Sequence, residues 1–127
     1  MPILSARRRR ALKPVSMFAR YCFFGNYAAA EKLFNEVSGE FNVDGDWGVG
    51  VMLAVKGMIE AGREGDKSTF YWRCINADLK ELKEIRDGLA KDLSRDTISD
   101  LESGFLNAWI VIVDEFIKIV RERGSGK

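Results

Sequence analysis

The sequence predicts a single all-α domain of about five helices built from αα-hairpins, on three observations. Apolar residues recur at three- and four-residue steps, as in Ile75, Leu79, Leu82, Ile85, Leu89 and Leu93. No stretch sustains the apolar–polar alternation of a half-buried strand. The prolines are confined to Pro2 and Pro14, so nothing further along is broken by a missing N–H. A length of 127 residues, 46% of them hydrophobic, suits one domain with a real core.

The elements follow in order. Residues 1–13 form a basic N-terminal arm, and residues 14–127 the helical domain. Pro14 suits the start of a first helix, where its absent N–H costs nothing, and that helix runs to Phe24. Gly25-Asn26 makes a turn, and a second helix runs from Tyr27 to about Val37, ending near Ser38-Gly39. Residues 42–48, NVDGDWG, read as a loop in which Asp46 caps the next helix. That third helix, WGVGVMLAVKGMIEAG, stops near Gly62–Gly65. Asp66 or Ser68 then caps a long fourth helix that carries the Ile75–Leu93 periodicity.

Ser99 with Glu102 has the spacing of a capping box and opens the last helix, which reaches Glu122 and stops before Gly124. Within it WIVIV, residues 109–113, has β-branched strand character, but its periodicity with Phe105, Phe116 and Val120 favours helix. Asn107, Asp114, Lys118 and Arg121 share one narrow polar face, interrupted by Val111. Apolar side chains cover most of the rest. A helix with so broad an apolar surface is covered from two or three sides. The Phe105–Val120 segment is therefore expected at the centre of the bundle, with a face against a second subunit as the alternative.

Composition excludes several chemistries. The chain has no histidine, which removes the commonest general base, the Ser-His and Cys-His nucleophile pairs, and most zinc sites. Glutamine is also absent while charged residues reach 31%, a pattern that leans toward a thermophilic source. The net charge of +1 conceals a block, Arg7, Arg8, Arg9 and Arg10, without which the rest is mildly acidic at about −3. Cys22 and Cys74 lack metal or redox spacing and sit in apolar surroundings. They imply a reducing cytoplasm, with a disulfide only in a hyperthermophilic source. The start carries charge where a secretory signal needs its apolar run. Phe105–Val120 is too short and too charged to span a bilayer, so no membrane partner is expected.

Four stretches carry candidate function. In FFGNYAAAEKLFNEV, residues 23–37, Gly25 and Asn26 stand at a turn, and Tyr27, Ala30, Phe34 and Val37 fall on one packing face. With Tyr21 in the preceding helix, these residues resemble the turn and second helix of a tetratricopeptide repeat, over about residues 14–37. The resemblance implies a helical hairpin that serves protein–protein contacts. Phe18 departs from the small residue that the family places there, and no closing proline stands near position 42. GDKSTFYWRC, from Gly65, is only a distant second copy, and an ordinary αα-hairpin within a bundle accounts for the same residues.

Asn42, Asp44 and Asp46 have the alternating spacing of a calcium loop. Trp47 and Leu53 stand where its glycine and its bidentate glutamate belong, so no metal is expected. Gly45, Gly48 and Gly50 near a helix start lack the rest of any nucleotide motif, and no cofactor is expected. They read as close helix packing, with Gly57 opposite a bulky neighbour.

Arg7–Arg10 offers a phosphate-binding alternative in which the arm binds nucleic acid. Phe70, Tyr71 and Trp72 are consecutive helix residues spread over about 200°, so at least one faces outward as a contact residue. Trp109, on the broad apolar surface of the last helix, is the other candidate contact. Nothing pairs an acid with a base at a readable spacing, and catalysis is not expected. The chain reads as a protein–protein interaction or structural module that forms a homodimer.

Overall fold

A computed structural model describes residues 4–41 and 45–125. Its elements are α1 (Ala6–Leu12), α2 (Val15–Phe23), α3 (Tyr27–Val37), a 3-10 turn (Ser38–Phe41), α4 (Asp46–Glu64), α5 (Phe70–Ile75), α6 (Leu79–Leu93) and α7 (Asp100–Ser125). No strand occurs among the described residues, and the fold is an all-α bundle. Residues 42–44, which include two of the three positions with calcium-like spacing, lie outside the described residues, as does Pro2.

The bundle is organised around α7, against which α2, α4 and α6 all pack. Ile112, Val113 and Phe116 are fully enclosed, and Asp114, Lys118 and Arg121 face water, as the helical wheel requires. Burying each such side chain contributes about 1.5–3 kcal/mol, so α7 adds substantially to core stability. Arg20 of α2 reaches the polar face of α7 and pairs with Glu115 at 3.2 Å and Glu122 at 3.3 Å.

The α2–α3 hairpin turns where the sequence places it. Gly25 has φ +77°, the Gly25 N–H donates to the Cys22 carbonyl, and the Asn26 N–H donates to the Tyr21 carbonyl. This is a Schellman motif, and the left-handed residue at its heart is the reason for glycine. Within the hairpin Ala30 is buried, and the Phe18, Phe34 and Phe41 rings meet at about 6 Å.

Three local features differ from expectation. The arginine block is helical: Ser5 accepts from the Arg8 N–H at 3.1 Å, and Ala11 and Leu12 are buried against the body. The long fourth helix is two helices, because Asp78 and Glu81 form a capping box that starts α6 afresh. Asp46 lies in the first turn of α4 rather than capping it, with Gly45 at the cap position.

The α4–α7 contact is the most extensive in the fold, and glycines set its closest point. A Cβ on Gly50 would overlap the Leu101 carbonyl oxygen, and one on Gly104 would overlap the Trp47 carbonyl oxygen. Backbone meets backbone there. Gly62 does the same for the Tyr27 ring, which lies flat against it.

Candidate functional site

The predicted aromatic patch is only partly a surface. Tyr71 and Trp109 are 2% and 5% exposed, so both are largely buried in the core. Tyr71 points inward from the short helix α5, and its hydroxyl donates to the Cys22 carbonyl at 2.7 Å. That commits its single proton, so the Tyr27 hydroxyl, 3.0 Å away, is the donor of the next bond. Burial, reinforced by the Tyr27 bond, pushes the Tyr71 phenol up from its ordinary value. Trp109 is covered by Phe70, whose ring meets it edge-on at 4.7 Å.

Phe70 and Trp72 are half-buried and reach the surface. Trp72 donates its indole N–H to the Ala61 carbonyl at 2.8 Å, while the Lys67 ammonium sits 3.5 Å from its ring centre. Three successive aromatics therefore divide as helix geometry demands: one points inward and two lie at the edge.

A larger apolar surface lies beside them, and apart from Phe70, Tyr71 and Trp109 its residues are ones the sequence did not single out as contacts. Helices α4 and α6 both flank α7 but have little contact with each other, which leaves a valley with α7 as its floor. Its central hollow, about 310 Å³, is lined by Leu53, Gly57 and Ala61 of α4, Leu89 of α6, and Phe105 and Trp109 of α7. Gly57 has nothing near its Cβ position, so it opens the valley rather than packing against a bulky neighbour. A second hollow of about 400 Å³ continues past Leu53 and Phe105 to Leu101. Leu53, Leu101 and Phe105 are 48%, 39% and 39% exposed, a large apolar exposure for one contiguous strip.

The rim is charged. Arg95 and Glu102 pair at 2.6 Å beside Leu101, and this bond holds the Glu102 carboxyl below its usual range. Glu81, Glu84 and Asp92 line the outer slope of α6 with Arg73 opposite, so the unpaired balance of that slope is acidic.

The arginine block takes a different place. Four consecutive residues of a helix spread over roughly 300°, so Arg7–Arg10 do not share one face. The Arg8 guanidinium lies 5.0 Å from the centre of the Trp47 ring, and Arg9 donates to the Leu4 carbonyl at 2.7 Å. Beneath Arg8, the Trp47 indole N–H is buried without a hydrogen-bond partner among the described residues.

Chemistry elsewhere is sparse. Cys22 and Cys74 are unpaired and buried, and burial pushes both thiols up to about 12. Neither is a ready nucleophile. Among the described residues, no group of three or more potential metal ligands converges. Within the same residues, no helix is long and apolar enough to cross a membrane. Comparison with protein-family models, with curated proteins and with solved structures finds no match to the chain.

Proposed function

We propose that the chain is a protein–protein interaction module that associates with copies of itself, and that the valley between α4 and α6 is its docking surface. One observation carries this reading: an apolar strip, Leu53–Phe105–Leu101, stands open to water beside the packed crossing of α4 and α7. Leaving such side chains in water forgoes burial free energy that a partner would supply. Phe70 extends the strip at its α5 end. Unpaired, buried thiols fit work in a reducing cytoplasm.

The test is light scattering on the full chain over a concentration series, with absorbance read at both 260 and 280 nm. The wild type is expected to exceed the 14.3 kDa of one chain as concentration rises. Leu53→Asp, which places a carboxylate on the valley wall, is expected to return it to one chain. A mass of one chain at every concentration would sink the proposal. A 260 nm excess that disappears in high salt would instead favour nucleic-acid binding through Arg7–Arg10.

A further inference from the structure

Building on the self-association proposed above, we infer that the valley of one copy receives helix α2 of the next, so that the contact is head to tail. The described residues expose five large apolar side chains. Leu53, Leu101 and Phe105 belong to the valley. The other two are Met17 and Phe24, 51% and 53% exposed, both on the outward face at α2.

Helix geometry explains why they stand there. Val15, Phe18, Ala19 and Cys22 turn inward, which leaves Met17, the half-buried Tyr21 and Phe24 on the opposite face. Their steps of four and three are the anchor spacing of a helix that lies in an apolar groove. The chain thus carries both a groove without a helix and a helical stripe without a groove.

Dimensions and charge agree. Met17 to Phe24 spans about 10 Å along a helix, and the α7 residues lining the two hollows run from Leu101 to Trp109, about 12 Å, with Phe70 laid over the Trp109 end. Exposed Arg10 and Lys13 stand at the N-terminal end of the stripe. The α6 slope beside the valley presents Glu81, Glu84 and Asp92 against Arg73. Basic flank and acidic slope attract, which orients the encounter.

The stripe is held in place from behind, because Arg20 ties α2 to Glu115 and Glu122 of α7. Stripe and valley are different surfaces, so the contact is heterologous and either closes into a ring or extends as a chain of copies. Three anchors make a small contact beside the roughly 1,600 Å² of a standard interface, so assembly depends on concentration.

Two variants test the pairing, each altering only side chains that are about half exposed. Met17→Asp with Phe24→Asp disables the stripe, and Leu53→Asp with Leu101→Asp disables the valley. Unchanged circular dichroism and melting temperature establish that both fold. Each variant alone is expected to scatter as one chain. An equimolar mixture is expected to give a species of twice that mass, because an intact stripe meets an intact valley.

Wild-type assembly that survives in both variants would put the contact on another face; the pairing falls while self-association stands. Assembly lost in both variants and not recovered on mixing would overturn the head-to-tail arrangement. A wild type that stays a single chain throughout would overturn this inference and the proposed self-association together.

Discussion

Helices α4 and α7 are sealed where they cross and open along one flank, with glycine at both places. At the crossing, Gly50 and Gly104 bring backbone against backbone, and a methyl group on either would strike a carbonyl oxygen. On the flank, a methyl group on Gly57 would meet nothing within 4 Å among the described residues. The residue type is the same and the consequences are opposite. A helical glycine costs conformational entropy in either setting. At the crossing the close approach offsets that cost, whereas on the flank the only return is an open surface. That contrast is the structural reason to read the flank as a docking site.

The largest expected effect is at the seal. Gly104→Ala forces α7 away from the Trp47 carbonyl and should destabilise the chain by about 3 kcal/mol, read as a lower urea midpoint. An unchanged midpoint would mean that the crossing is looser than described. Tyr71→Phe comes next, because it deletes the hydroxyl that links α5 to the Cys22 carbonyl and to Tyr27. A loss of about 1–2 kcal/mol is expected by the same method. The smallest effect has the opposite sign. Gly57→Ala should stabilise the helix by about 0.5–1 kcal/mol, since the new methyl group enters open space. Destabilisation there would mean that Gly57 is not open, and the contrast between crossing and flank would collapse.

Much of the fold was legible because its signals were local. Ser99 and Glu102 mark the start of α7, and the Glu102 N–H does donate to Ser99 Oγ at 3.1 Å. The broad apolar surface of α7 required a central position, and the helix has one. Gly25-Asn26 gave the hairpin turn from its backbone needs alone.

Other features were hidden by a stronger pattern. The steps Ile75–Leu79–Leu82 run straight across the break between α5 and α6, so periodicity outweighed the Asp78–Glu81 box. The charges of Arg7–Arg10 masked a short helix whose cap, Ser5, is an ordinary N-terminal signal. The sequence could not distinguish Gly50 from Gly57, because the difference lies in which helix approaches each.

The candidate site was the least legible part. Phe70 and Trp72 were identified from the impossibility of burying three consecutive aromatics. Tyr71 and Trp109 were included with them, although tertiary packing buries both. Leu53, Leu101, Met17 and Phe24 carried no signal that set them apart, since their spacing is that of any amphipathic helix. The exposure of Leu53 and Leu101 follows from α4 and α6 standing apart, and that of Met17 and Phe24 from nothing packing on the outer face of α2, properties of the assembled bundle that no local pattern encodes.

The most direct measurement of the central claim is a methyl-resolved NMR dilution series on the full chain, labelled at Met, Leu, Ile and Val. Met17, Leu53 and Leu101 are expected to shift together as concentration rises, while the buried methyls of Val55 and Ile112 hold still. Methyl signals that stay fixed at every concentration, or that move only outside the valley and the α2 stripe, would contradict it.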